Sequence, residues 1–220
     1  APVGKCASGG NEAAKAMAAI MGVEAGEVTR KVALVRCSGA RTYDAEGNLT
    51  KGAKMKATYE GFHDCLAASR VGGSGPLSCK FGCLGYGSCT KVCKYGAISV
   101  KNGVAVVDED LCVGCMACAQ VCPRKIITAV EPSQNVIIAC NSLAKGAVTN
   151  RACTVGCIGC GKCMKNCPSG AITITNNLAQ IDSSKCTNCG ECAKVCPKGL
   201  IKDSNVENLG DPKPVITPAQ

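Results

Sequence analysis

The chain has 220 residues, of which 21 are Cys and 26 Gly, with two Phe, four Tyr and no Trp. That little aromatic area excludes an ordinary core, because aromatic side chains bury the largest surface per residue, and so much cysteine marks a cross-linked scaffold. The formal charge of +9 suggests an acidic partner, but basic residues are not interleaved with stacking aromatics, which argues against nucleic acid. No signal peptide is visible, and no apolar run reaches the length of about 18 residues that spans a bilayer.

In chain order, residues 11–21 (NEAAKAMAAIM) predict a short helix, with Asn11 as N-cap, Met17, Ile20 and Met21 near one face, and Gly22 as the stop. The stretch Val28–Val35 is β-prone, residues 38–61 read as a long connection or hairpin, and GGSG at 72–75 reads as a hinge. His63, the only histidine, reads as a surface or turn residue beside Asp64, with a proton-coupled role near Cys65 as the alternative. A loose cysteine run follows: Cys79, Cys83, Cys89 and Cys93. Residues 96–108 (GAISVKNGVAVVD) read as strand, turn, strand, with Asn102-Gly103 as a type I′ turn signal. The next run is CVGCMACAQVCP at 112–123. The third is CIGCGKCMKNCP at 157–168, followed by a second hairpin at 170–182 (GAITITNNLAQID), where Asn176-Asn177 is the weaker turn signal. The fourth run is CTNCGECAKVCP at 186–197, and the Pro-rich stretch 203–220 reads as an extended or disordered tail.

Three of these runs have the C-x2-C-x2-C-x3-C-P spacing of bacterial ferredoxins. Three cysteines at two-residue intervals wrap a loop around one face of a 4Fe–4S cube. The fourth lies on the turn leaving that loop, points away, and ligates the cube of the partner run. Zinc sites want four ligands, usually two separated C-x2-C pairs, and give no reason for the third cysteine or the Cys-Pro. Disulfide frameworks leave cysteines irregularly spaced.

The runs form two pairs. Cys83, Cys89, Cys93, Cys112, Cys115, Cys118 and Cys122 recur 74 residues later as Cys157, Cys163, Cys167, Cys186, Cys189, Cys192 and Cys196. The fold class expected is therefore α+β: two tandem 2×4Fe–4S ferredoxin units at 76–130 and 131–202, a small leading α/β segment at 1–75, and the tail. Crossing within each pair predicts four ligand sets: Cys79, Cys83, Cys89 and Cys122; Cys112, Cys115, Cys118 and Cys93; Cys157, Cys160, Cys163 and Cys196; Cys186, Cys189, Cys192 and Cys167. The repeat fails at one place, since the counterpart of Cys160 is Tyr86. Cys79 is taken to supply the missing ligand, while its own counterpart, Cys153, is spare. Cys6, Cys37, Cys65, Cys140 and Cys153 remain. Cys37, Cys65, Cys140 and Cys153 could form one more four-thiolate site, against which stand their scatter and the alternative of free buried thiols.

An oxidised cube with four thiolates carries roughly −2, so four cubes remove roughly eight charges and leave the loaded protein near neutral. Lys91, Lys94, Lys162, Lys165, Lys194 and Lys198 lie in or beside the cysteine loops, as charge compensation or as a collar for an acidic redox protein. No nucleophile–base set, carboxylate pair or phosphate loop is present, so the chain has no bond-making site or small-molecule substrate of its own. Electron transfer is the function left.

The layout resembles the B subunit of the Rnf ion-translocating electron-transport complex. The residues that carry this are KCASGGNEAAKAMAAIMGV at the start, HDCLAASRVGGSGPLSCKFGCLGYGSC at 63–89 and IIACNSLAKGAVTNRACTVGCIGCGKC at 137–163. The resemblance implies an electron-transfer subunit at the cytoplasmic face of the membrane. It would take electrons from reduced soluble ferredoxin and pass them to other subunits of a complex that reduces NAD and moves an ion. It also implies a membrane-anchoring helix and an extra 4Fe–4S motif upstream, of which Cys6 would be the last ligand. Without the anchoring helix, residues 1–220 are expected to be peripheral, and a fifth cluster at Cys6 is expected only where the upstream residues are present. A relay subunit of a hydrogenase or dehydrogenase, and a structural iron–sulfur module, are the alternatives.

Overall fold

The computed structural model describes residues 9–203 except 25, 27 and 28. Cys6 and the expected tail beyond residue 203 lie outside the described residues. Helix α1 (Gly10–Met21) is followed by β1 (Val32–Val35), the hairpin of β2 (Thr42–Tyr43) and β3 (Leu49–Lys51), and helix α2 (Cys65–Arg70). Next come α3 (Ser88–Lys91), β4 (Ile98–Lys101), β5 (Val104–Val107), α4 (Ala117–Gln120) and β6 (Ile127–Val130). Then β7 (Val136–Ile138), α5 (Gly146–Ala152), α6 (Lys162–Lys165), β8 (Ile172–Thr175), β9 (Leu178–Ile181), α7 (Glu191–Lys194) and β10 (Ile201–Asp203) complete a fold of mixed helix and strand. Among the described residues, no helix is long and apolar enough to cross a membrane.

The helix expected at 11–21 forms, and left-handed Gly22 ends it. Its N-cap is Gly9 rather than Asn11. The face that packs is the small one, Ala14 and Ala18, while Ile20 is 86% exposed.

Two hairpins anchor the repeat. A type I′ turn needs positive φ at both central residues. Asn102 and Gly103 supply +48° and +75°, and Asn176 and Asn177 supply +49° and +63°. The strands pair in matching register, Ile98 with Val107 and Ile172 with Ile181. The two turns differ in surroundings: a Cβ at Gly103 would collide with the Arg41 guanidinium, whereas the Asn177 side chain donates to the Leu143 carbonyl at 3.2 Å.

A second strand pair flanks each hairpin. β1 runs antiparallel to β6, with Val35 opposite Ile127, and β7 runs antiparallel to β10, with Ile138 opposite Ile201. The leading segment therefore does not stand apart from the first unit but supplies one of its strands. Val35 occupies in the first unit the place of Ile138 in the second, a shift of 103 residues where the rest of the repeat shifts by 74. The first unit thus carries 29 more residues (103 against 74) between that strand and its cysteine loops. This stretch holds the β2–β3 hairpin and α2.

GGSG closes a turn rather than acting as a free hinge. The Gly75 N–H donates to the Val71 carbonyl at 2.7 Å, and the Arg124 guanidinium donates to the Ser74 carbonyl.

The two cores match residue for residue. Ile98, Val104, Ala105, Ile126 and Ile127 in one correspond to Ile172, Leu178, Ala179, Leu200 and Ile201 in the other. Cysteines fill the remaining places: Cys83, Cys89 and Cys118, and Cys157, Cys163 and Cys192. Ile126→Ala and Leu200→Ala, at sites 1% and 2% exposed, should each cost about 2–5 kcal/mol. Anaerobic denaturant unfolding of the iron-loaded protein measures this, and equivalent packing predicts similar losses.

Candidate metal centres

In the second unit, Cys157, Cys160, Cys163 and Cys196 line one cavity, with Ile138, Ile174 and Leu200 on its walls. Cys196 comes from beyond α7 and lines the same cavity as the loop of the other run. Burial, then the neighbouring Cys163, Cys186, Cys167 and Cys189 thiolates, push Cys192 up to about 11. Cys192 therefore lies near Cys186, Cys167 and Cys189 as well as near Cys163 of the other set. At Cys167 burial raises the pKa, but the Ser169 hydroxyl and the N–H groups of Ala171, Ser169 and Gly170 outweigh it and hold the thiol below its usual value.

In the first unit the equivalent cavity is lined by Cys65, Cys83, Cys89 and Cys122. Cys79, expected with Cys83, Cys89 and Cys122, is not among the residues lining this cavity, whereas Cys65 is. The cause lies at Tyr86, where the repeat lacks a cysteine. The Tyr86 ring meets Tyr59 edge-on at 5.0 Å and His63 at 5.8 Å, which docks residues 59–63 on the loop. Asp64 then caps α2 by accepting from the Ala67 N–H at 2.9 Å. The Ser88 hydroxyl donates to Asp64 at 2.7 Å and accepts from the Cys65 N–H at 2.7 Å. Ser88 opens α3, the helix that carries Cys89, so one hydroxyl fixes Cys65 relative to Cys89.

The other set of this unit is less enclosed. Burial first, with the Cys112 thiolate next and Cys115 further down, raises Cys118. Cys93 and Cys112 pack on the same core, and Cys112 accepts from the Ala33 N–H at 3.4 Å. Cys79 lies elsewhere, beside Cys37 across Gly82. Among the described residues no group of three or more donors gathers as a site for one metal ion. A cube spreads its four thiolates wider than a tetrahedral ion does, and four thiols around a cavity walled by aliphatic side chains suit it.

Two known domain signatures coincide with these cysteines: the 4Fe-4S dicluster domain at residues 156–200 and the 4Fe-4S binding domain at residues 105–128. The chain is 38% identical over 186 residues to the B subunit of the ion-translocating oxidoreductase complex of Methanosarcina acetivorans, covering 84% of this chain and 67% of that protein. It is 41% identical over 186 residues to the B subunit of the Na(+)-translocating ferredoxin:NAD(+) oxidoreductase complex of Acetobacterium woodii, covering 84% and 53%. It is 42% identical over 184 residues to the B subunit of the proton-translocating ferredoxin:NAD(+) oxidoreductase complex of Clostridium ljungdahlii, covering 83% and 61%. The chain thus spans 53% to 67% of the length of these relatives.

Ser88→Ala removes both bonds that fix Cys65, at roughly 1 kcal/mol or more for each. The iron-loaded variant should lose iron from one centre to a chelator at least about tenfold faster than the parent, followed by absorbance and EPR.

Proposed function

Because this chain belongs to the family of B subunits of ion-translocating oxidoreductase complexes, we propose that it is the electron-input part of such a complex. It relays single electrons from reduced soluble ferredoxin towards the complex's other subunits, and the complex as a whole reduces NAD. The observation that carries this reading is the pair of equivalent cysteine-lined cavities, each completed by a cysteine from the partner run. The chain is then two tandem 2×4Fe–4S ferredoxin units. Their ligand sets are Cys65, Cys83, Cys89 and Cys122; Cys112, Cys115, Cys118 and Cys93; Cys157, Cys160, Cys163 and Cys196; Cys186, Cys189, Cys192 and Cys167. When bound, a 4Fe–4S cube takes up and gives back one electron.

The residues around each set serve that exchange. Ile138, Ile174 and Leu200 keep water from one set. Backbone N–H groups aimed at cysteine sulfurs, such as Ala105 N–H to Cys83 at 3.4 Å, stabilise thiolate charge and tune potential. The site of action is the cytoplasmic face of the membrane.

The lysine collar divides in two. Lys91 donates to the His63 carbonyl, Lys194 pairs with Glu191 at 2.6 Å, and Lys198 donates to the Thr154 carbonyl and to Asn150. Lys94, Lys162 and Lys165 are exposed and form no ion pair among the described residues. These three are the steering charges for an acidic ferredoxin.

Two measurements test the reading. Dithionite should reduce the reconstituted protein reversibly, with low-temperature EPR signals of reduced 4Fe–4S centres. Iron that cannot be reduced would instead indicate a structural module. Association with reduced ferredoxin should slow as the Debye length contracts from about 10 Å at 0.1 M to about 3 Å at 1 M salt. Lys162→Glu/Lys165→Glu should lower the on-rate further, and a rate flat in salt and unmoved by the double variant rejects electrostatic docking.

A further inference from the structure

We propose that Cys37, Cys79, Cys140 and Cys153 bind an additional 4Fe–4S cube, shared between the two repeat units. The four lie in four separate segments, and backbone pairing gathers them. The Ser38 N–H donates to the Ala139 carbonyl at 2.8 Å, bringing Cys37 to Cys140. Ala53 donates to the Gly39 carbonyl at 3.1 Å and forms a bridge with Cys153. The Ser78 N–H donates to the Lys54 carbonyl at 2.9 Å, drawing in Cys79. Gly52–Lys54 is the hub, and Gly52 is required there: its φ is +109° and a Cβ would collide with the Ala40 carbonyl. A Cβ at Gly82 would lie 3.5 Å from the Cys79 sulfur and 3.7 Å from the Cys37 sulfur.

The four form two repeat-related pairs. Cys79 and Cys153 are 74 residues apart, the shift of the cysteine loops, and Cys37 and Cys140 are 103 apart, the shift between β1 and β7. Their hydrogen bonds repeat as well. The Cys37 sulfur accepts from the N–H groups of Gly39 and Cys83, each at 3.4 Å. The Cys140 sulfur accepts from Ser142 at 3.5 Å and Cys157 at 3.4 Å. Cys83 and Cys157 are themselves repeat equivalents. Two N–H donors aimed at one sulfur suit a thiolate ligand; a neutral thiol is a weak acceptor. Each unit thus gives the site one cysteine from each repeat-related pair, and the pair of Cys37 and Cys140 is held in the same way in both.

The electrostatics agree. Burial first, then the Cys37, Cys79 and Cys140 thiolates after the Val155 N–H, set Cys153 at about 11, and Cys79 acts on Cys37 and on Cys140 as well. Arg124 feels both Cys79 and Cys122, which puts a cation between this set and the first unit's enclosed set. A single zinc would need its thiolates closer together than these stand. The placement also gives the site a role that rests on the relay reading. Through Cys83 and Cys157, whose N–H groups donate to Cys37 and Cys140, it adjoins the enclosed set of each unit. Five thiolate sets then form one unbroken line through the chain.

The test is anaerobic reconstitution followed by native mass spectrometry, iron and sulfide counting, and alkylation of the folded protein. The parent chain should hold about twenty iron, four per cube, with Cys37, Cys79, Cys140 and Cys153 all protected. Cys140→Ser/Cys153→Ser should retain about sixteen. About sixteen iron in the parent with those four thiols alkylated overturns the site, as does one zinc beside sixteen iron. Iron far below sixteen with Cys160 and Cys189 alkylated would instead overturn the four-ferredoxin-centre reading. Alkylation of the four central thiols in the parent still decides this site then, and needs no variant that folds.

Discussion

A buried thiol resists ionising, and this chain buries many. Burial carries Cys37 to about 12, and Cys83, Cys89, Cys153 and Cys192 to about 11. Each of these sulfurs lies in or beside an aliphatic core too poor in aromatics to be held by packing alone. Iron is the proton's competitor at such a site. It draws the thiolate charge into a cube, and the N–H groups facing the sulfurs offset the remainder. Folding and metal binding are then one equilibrium, with the β-hairpins and short helices as frame and the sulfurs as its joints.

Within that constraint, the missing cysteine at position 86 has been met by an exchange of partners. The tyrosine that replaces the ligand recruits, through Tyr59 and His63, the segment that delivers Cys65. Cys79 is thereby free to turn towards the other unit. A loss in one loop and a gain between the units are two sides of one rearrangement, both made by the 29 extra residues of the first unit.

The sequence made the cysteine runs, both hairpins and the crossing of Cys196 legible, because each is written in local spacing. Cys65 was not legible: nothing near it in sequence resembles a ligand motif, and its position depends on Ser88, 23 residues away. The equivalence of Cys37 and Cys140 was hidden for another reason. The insertion changes the repeat shift from 74 to 103, so a comparison at constant spacing sees only Cys79 and Cys153. Asn11 failed as a cap because Gly9 began the helix without any side-chain cap.

The turns at Asn102-Gly103 and Asn176-Asn177 share a backbone but not an environment. Arg41, from the inserted stretch, donates its N–H to the Asn102 carbonyl at 2.9 Å, and its guanidinium lies where a Cβ on Gly103 would project. Asn177 uses its side chain to hold Leu143. Duplicated halves that began as copies have become left and right parts of one joint. The partner surface of each turn is supplied by the sequence that distinguishes the halves, Arg41 in one and Leu143 in the other.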